Sequence, residues 1–154
     1  MKICIVVHSH TGNTLSVSKR VKEELERLGH SPVLEQLKPV DEEGTLKGNF
    51  QLVSKPDLTE YDVVFIGTPV WGFSPSGVMK EYLANTPSLA SKKVFLFVTQ
   101  SFPFPWMGGN GSIKKLTEIC AGKGAIIIGS GIVNYTKKKR EPKILELLEK
   151  LKEV

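Results

Sequence analysis

Four short runs of consecutive apolar residues recur along the chain, spanning residues 3–7, 63–66, 94–98 and 125–128. Runs of this kind, shorter than a helix and unbroken by polar positions, are typical of strands that are covered on both faces. A fifth and more polar candidate, residues 33–37, follows a Ser-Pro dipeptide and is typical of an edge strand.

Helical patterns lie between the strand candidates. Four stripes of apolar residues have helical spacing, and they comprise Val17, Val21, Leu25 and Leu28, followed by Gly29; Val78, Met79, Tyr82 and Leu83; Ile113, Leu116, Ile119 and Cys120; and Ile144, Leu147, Leu148 and Leu151, after Pro142. Strands that alternate with helices pair in parallel through right-handed crossovers. We therefore predict an α/β fold in which an open five-stranded parallel sheet carries helices on both faces.

Residues 38–60 interrupt the alternation. They contain two prolines, two glycines and several charges, and they show no helix pattern. So long a loop inside a compact domain is either functional or evidence against the assignment. The chain of 154 residues is long enough for one hydrophobic core, and no repeat or linker divides it. We predict a single domain over residues 1–154.

Composition narrows the class of protein. The 40% hydrophobic and 24% charged fractions are those of a globular protein. No apolar run approaches the roughly 18 residues that span a bilayer, and the start of the chain does not resemble a signal peptide, so we expect a cytoplasmic protein. Cys4 and Cys120 lie in apolar patterns without metal-ligand spacing, which favours two reduced, buried thiols and no metal site.

The net charge of +5 has its densest block at residues 137–140, Lys-Lys-Lys-Arg. Such a block permits attraction to an acidic partner or to nucleic acid. Neither aromatic residues nor a recognition helix surround it in the sequence, and we therefore interpret it as a solvated face and do not expect nucleic-acid binding.

Candidate chemistry begins where the first strand ends. Six small polar or glycine residues follow one another there, namely Ser9, His10, Thr11, Gly12, Asn13 and Thr14. In an open α/β sheet, ligands bind beyond the carboxyl ends of the strands, and the helix that follows presents unbonded N–H groups and the positive end of its dipole. One such residue would indicate only a helix cap, but six indicate an anion site, and we predict a phosphate.

The stretch Ser-His-Thr-Gly-Asn-Thr, residues 9–14, resembles the phosphate loop of the flavodoxin family. The resemblance extends over nearly the whole chain and implies FMN as the cofactor, with its 5′-phosphate at residues 9–14. It also implies strand order 2-1-3-4-5, the flavodoxin-like order, with FMN at the point where that order reverses. His10 occupies the variable position of the loop, whereas His8 is expected to be structural at the strand end and His30 to be a surface residue after Gly29.

If FMN lies there, the end of the third strand meets its ring. That end carries Thr68, Pro69, Val70, Trp71 and Gly72. Trp71 can stack on a flat apolar ring, and the Gly72 peptide can hydrogen-bond its polar edge, although a partly buried core tryptophan is the alternative. This stretch resembles the corresponding loop of flavodoxin-like FMN and quinone reductases slightly more than that of short electron carriers.

The fourth strand ends in a stretch rich in aromatic residues, prolines and glycines. Family members close over the flavin from this side, which implies contacts from Gln100, Ser101, Phe102, Gly108, Gly109 and Asn110. Phe102, Phe104 and Trp106 can form a ring wall or lid, and the contact of a homodimer is the other interpretation.

Three functions remain open at the level of sequence. The first is an FMN-binding electron carrier of flavodoxin type, whose partner is another redox protein or a small electron acceptor. The second is an NAD(P)H-dependent FMN or quinone oxidoreductase. The third is a flavin-free signalling module of the same fold, but the acidic cluster that such a module needs is replaced by His8, Ser9 and His10. The positive charge departs from the acidic family carriers and puts their usual partners in doubt.

Overall fold

Five parallel strands run through the centre of the molecule. In the computed structural model, which describes residues 1–154, the elements in chain order are β1 (Ile3–Val7), α1 (Asn13–Arg27), β2 (Val33–Gln36), β3 (Lys38–Pro39), α2 (Glu42–Thr45), β4 (Leu52–Ser54), β5 (Val63–Trp71), β6 (Ser74–Pro75), α3 (Gly77–Ala84), β7 (Lys93–Gln100), α4 (Gly109–Gly122), β8 (Ile126–Asn134) and α5 (Arg140–Glu149), followed by a 3₁₀ turn over Lys150–Glu153.

The main sheet has the order β2-β1-β5-β7-β8, with every neighbouring pair parallel. When the short strands are left out of the numbering, this is the predicted order 2-1-3-4-5, and the predicted fold class is confirmed. β2 lies at one edge, as its polar sequence indicated. None of the helices combines the length and the apolar character that a bilayer crossing requires.

Helices cover both faces of the sheet and bury alternate residues of each strand. In β1, Cys4 and Val6 pack beneath α3 and α4, whereas Ile3 and Ile5 pack beneath α1 and α5. This is the period-2 alternation of a strand that is covered on both faces, and it explains why the strand has no polar position. Burial of each such side chain contributes about 1.5–3 kcal/mol to folding.

Two strands extend beyond the apolar runs that predicted them. β5 continues through Trp71, pairing with β7 as far as Pro69 and then with β6 in a hairpin. The sequence-based interpretation had residues 68–72 leave the strand, and for residues 68–71 that boundary was wrong. β8 begins at Ile126 and runs to Asn134, because parallel pairing with β7 carries it past the polar residues that follow Ile128. The last predicted helix, which is α5 in the structure, likewise begins before Pro142, at Arg140.

Residues 38–60 contain short elements in place of one long loop. β3 and β4 form a separate antiparallel pair, and α2 makes one turn between them. Phe50 and Leu52 of this segment pack against the core beneath α3 and α4. These elements are too short to show a hydrophobic period, which explains why the sequence of residues 38–60 has no periodic pattern.

Candidate functional site

Three loops meet at one edge of the sheet because they follow adjacent parallel strands. β1 pairs with β5 and β5 pairs with β7, so their carboxyl ends lie side by side. We call residues 9–14 the first loop, residues 68–73, which include the last part of β5, the second loop, and residues 101–108 the third loop. This edge is where ligands of open α/β sheets bind.

Ser9 holds the first loop in shape. Its Oγ accepts hydrogen bonds from the backbone N–H of Gly12 and of Leu15, both at 3.1 Å. Gly12 has a φ of 94°, and a Cβ placed there would meet no atom within 4 Å. The loop therefore makes its turn at the one residue that adopts this backbone conformation without strain, and it remains open on that side.

Five backbone N–H groups of the first loop donate to no acceptor of the protein. They belong to Ser9, His10, Thr11, Asn13 and Thr14. α1 begins at Asn13 without a side-chain cap, so the positive end of its dipole faces the same turn uncompensated. No Lys or Arg lies within the loop. Unpaired N–H groups at a glycine turn and a helix N-terminus fit a phosphate.

The side chains of the first loop divide into exposed and buried groups. Thr11 is exposed, Asn13 is half-buried, and the Asn13 amide donates to Thr11 Oγ1 at 3.2 Å. Thr14 is buried, and its Oγ1 lies 2.8 Å from that of Thr99 on β7. Thr14 therefore joins the loop to the third strand of the site, whereas Thr11 and Asn13 remain accessible to a ligand.

His8, immediately before the first loop, is completely buried. Its Nδ1 lies 2.8 Å from Ser76 Oγ, and its Nε2 lies 3.3 Å from Glu42 Oε1. A neutral ring accepts at Nδ1 from Ser76 and donates from Nε2 to Glu42, which satisfies both nitrogens. Burial lowers the pKa of His8 below its ordinary value, and the hydrogen bond to Glu42 opposes that change in part.

Glu42 connects this buried histidine with the first loop. The same Oε1 atom lies 2.9 Å from His10 Nδ1, so one carboxylate of α2 binds two histidines. The three side chains do not form a group that could hold a metal ion. Segment 38–60, whose role the sequence did not indicate, thus contributes a residue to the site. No local pattern marks Glu42, because its partners are more than thirty positions away.

Trp71 lies against the two histidines. The edge contacts between the rings have centroid distances of 5.3 Å to His8 and 5.9 Å to His10, with the planes nearly perpendicular. Trp71 is half-buried, and the Gly72 that follows it has a φ of 55° and open space in place of a side chain. The Trp71 indole is therefore held at its edge by the two histidines, and one of its faces is available for stacking.

The remaining residues of the second loop support the hairpin. Thr68 is fully buried, and its Oγ1 accepts from the N–H of Ser76 at 3.2 Å. Ser76 caps α3 by accepting from Met79 N–H, so it links the helix, the hairpin and His8. The Ser-Pro-Ser-Gly sequence signals this cap, but not its bond to a histidine. Pro69 and Val70 are half-buried beside it.

Side-chain amides at the carboxyl ends of β7 and β8 hold the backbone of the third loop. Gln100 Nε2 donates to the carbonyl oxygens of Phe102 and Phe104, each at 2.8 Å, and Asn134 Nδ2 donates to that of Phe102 at 2.5 Å. Gln100 Oε1 is buried without a hydrogen-bond partner. Asn134 was not among the candidate residues, although a polar residue at the carboxyl end of a strand is the relevant signal.

Glycines allow the third loop to pack closely. A Cβ on Gly109 would lie 2.4 Å from Gln100 Oε1, and one on Gly108 would lie 2.8 Å from a methyl group of Val70. Both residues are buried, whereas Ser101 and Asn110 are exposed. Phe102 stacks on Phe73 of the second loop with a centroid distance of 5.6 Å. The two loops are therefore in direct contact at the edge of the sheet.

Residues 5–146 match the model of a family described as flavodoxin. A search of curated proteins finds no match.

Solved structures with the same fold include flavodoxin 2 from Bacillus cereus, at 21% identity, 99% coverage of both chains and a TM-score of 0.71. The two-electron reduced flavodoxin of Megasphaera elsdenii has 22% identity, 99% coverage of both chains and a TM-score of 0.71. A flavoprotein from Lactobacillus acidophilus, solved in complex with FMN, has 21% identity and a TM-score of 0.65, and the match covers 85% of this chain and 92% of that one. At these identities the likeness establishes the fold.

Proposed function

The chain belongs to the flavodoxin family, and on that basis we propose that it binds FMN and transfers electrons to redox partners as a flavodoxin-type carrier. When bound, FMN supplies the redox chemistry, while the protein supplies binding, orientation and electrostatics. The reduced, free state of both thiols agrees with the cytoplasmic location that we propose for it.

The observation that carries the proposal is the set of five N–H groups without an acceptor, which belong to Ser9, His10, Thr11, Asn13 and Thr14. Backbone donors at a helix N-terminus stabilise a phosphate monoester without a lysine or a metal ion. The hydroxyl of the exposed Thr11 and the amide of the half-buried Asn13 add donors beside them. We therefore assign the 5′-phosphate of FMN to the first loop.

The second and third loops supply the environment of the flavin ring. Trp71 presents a face beside the first loop, and Gly72 leaves its peptide unhindered by a side chain. We assign ring contacts to these residues and to the stretch of the third loop that Gln100 fixes, including Ser101 and Phe102. Residues Thr68, Gly108 and Gly109 act by shaping the loops that make those contacts.

Fluorescence titration of the flavin-free protein with FMN, and in parallel with riboflavin, tests the proposal. Strong quenching by FMN and much weaker binding of riboflavin, which lacks the phosphate, are expected. Equal affinity for the two flavins would contradict the assignment of the first loop, and binding of neither would overturn the function. Sustained NAD(P)H oxidation with a quinone by the purified protein alone would replace the carrier with a reductase.

A further inference from the structure

The excess positive charge of the protein is confined to one part of the chain. Residues 101–140 carry seven Lys or Arg residues and a single acidic one, Glu118, whereas the rest of the chain carries fourteen basic and fifteen acidic residues. The excess charge is therefore carried by α4 and its C-terminal end and by the block of residues 137–140 after β8, not by the surface as a whole.

Part of this charge is attached directly to the aromatic residues of the third loop. Lys139 Nζ lies 5.1 Å from the centroid of the Phe104 ring and donates to the Pro103 carbonyl at 3.2 Å. Lys137 and Lys138 are exposed and form no ion pair or hydrogen bond through their side chains. Because β8 is parallel to β7, the residues that follow it lie at the same edge of the sheet as the third loop.

The aromatic residues of this loop are exposed although the loop is well supported. Phe104 is 49% exposed and Trp106 is 71% exposed, and their rings stack nearly in parallel with centroids 5.8 Å apart. Two side-chain amides hold the loop backbone from below, as described above. Ordered aromatic residues that remain in water mark surfaces for interaction, since little entropy is lost when a partner covers them.

We propose that residues 102–106 and 137–140 form a basic–aromatic face that docks an acidic redox protein. The inference rests on the proposed function and adds the chemistry of the partner to it. The Phe73–Phe102 stack joins the face to the loop that carries Trp71, so a protein bound there lies beside the proposed flavin site. Steering by complementary charge would bring such a partner to this edge, and the aromatic residues would hold it.

The position of the aromatic residues favours a protein over nucleic acid. The sequence-based expectation that no aromatic residues surround the basic block was wrong, because Lys139 lies against Phe104. Single-stranded nucleic acid can use both the lysines and the stacked rings, but it gains nothing from the proximity of the face to the proposed cofactor. An acidic electron-transfer protein uses both features, because its redox centre has to approach the flavin while its charges meet Lys137 and Lys138.

The first test is a binding experiment that does not depend on redox activity. The ¹⁵N-labelled protein, as purified, is titrated with reduced plant plastocyanin, an acidic blue-copper protein, at low and at high salt. Chemical-shift changes are expected at residues 102–106 and 136–140 and should disappear at high salt. Shifts located elsewhere, or tighter binding of a 20-nucleotide single-stranded DNA at the same ionic strength, would overturn the proposal.

The second test measures electron transfer by stopped flow. The reduced FMN-loaded protein gives one electron to the copper(II) of plastocyanin or to the iron(III) of horse cytochrome c, which is basic. We expect the rate constant with plastocyanin to fall about ten-fold or more between low and high salt, and the rate constant with cytochrome c to stay constant or rise. The opposite order would contradict an acidic partner.

Two double variants locate the effect. Lys137→Gln with Lys138→Gln should lower the low-salt rate constant with plastocyanin several-fold. Lys55→Gln with Lys93→Gln removes the same charge from exposed, unpaired lysines away from this edge and should leave it nearly unchanged. If the two pairs lowered the rate constant equally, net charge alone would explain the result, and the proposed face would be overturned. Failure to retain FMN would instead contradict the proposed function, while the binding experiment would still decide the role of the face.

Discussion

The first loop and segment 38–60 both contribute to the candidate site, but they obtain their structure in different ways. The turn of the first loop is held by local hydrogen bonds, from the N–H groups of Gly12 and Leu15 to Ser9 Oγ, although the side chains of His10 and Thr14 also bond to distant residues. Segment 38–60 depends on distant partners: Glu42 binds two histidines, and Phe50 packs where a side chain on Gly77 would collide with it. Local sequence therefore specifies the first loop, and tertiary contacts specify the segment.

The difference follows from the lengths of the elements. A four-residue helix and strands of two and three residues are not stable by themselves, because nucleation costs more than so few hydrogen bonds return. Their stability therefore depends on contacts with the core beneath α3 and α4, which Phe50 and Leu52 provide. A site built from both kinds of region combines a ligand-binding motif with residues that can be recognised only in the folded protein.

Variants of the first loop should produce the largest effects, and they should act on the phosphate alone. Thr11→Ala and Asn13→Ala each remove a neutral donor near an anion, worth about 1.5–3 kcal/mol, so the affinity for FMN should fall about ten-fold or more. Binding of riboflavin should hardly change, because riboflavin has no phosphate. Fluorescence titration with both flavins measures the ratio, and equal losses would show that these variants disturb the loop as a whole.

A variant of segment 38–60 should act on stability instead. Glu42→Ala removes the acceptor of the His8 Nε2–H, and because the Glu42 carboxylate is partly exposed and water can take its place, the cost is about 0.5–1.5 kcal/mol. Glu43→Ala is the matched control, because Glu43 is exposed and its carboxylate has no partner. Urea unfolding should separate the two variants. Identical unfolding free energies would mean that the segment is not coupled to His8.

Much of the fold and part of the site could be predicted from the sequence for the same local reasons. Apolar runs identified four of the five main strands, a more polar stretch after Ser-Pro identified the fifth, and the composition of residues 9–14 predicts an anion site. The ends of β5 and β8 could not be predicted, because pairing with a neighbour continues each strand past its apolar residues. Glu42, Ser76 and Asn134 were missed, because each acts through a residue that only folding brings near.

A smaller effect should appear in the dependence of stability on pH. Since the pKa of His8 is lowered in the folded protein, mainly by burial, the unfolded chain binds a proton there that the folded protein does not. Stability should be complete above about pH 6.5, the pKa of an unperturbed histidine, and should decline as the pH falls below it. The slope contributed by this residue is at most about 1.4 kcal/mol per pH unit.

Urea unfolding at pH 7.5, 6.5 and 5.5 measures this slope. His8→Asn should flatten the slope of stability against pH between pH 6.5 and 5.5. His30→Asn, at a half-buried histidine, is the control and should leave the slope unchanged. If both variants retain the slope, carboxylates and not the buried histidine determine the acid sensitivity. His8 would then not link segment 38–60 to the pH dependence of stability.

The two cysteines should show no effect at all while the protein is folded. Burial raises the pKa of Cys4 to about 12 and that of Cys120 to about 11, and both thiols are completely inaccessible. At pH 8 neither should react with a thiol-specific disulfide reagent, and two equivalents should react in urea, because the thiolate is the nucleophile. Cys4 lies in β1 directly before the first loop, so rapid reaction of the folded protein would mean that β1 opens. A loop supported by such a strand could not hold its N–H groups ready for a phosphate, and the local character of the first loop would then be insufficient to explain its function.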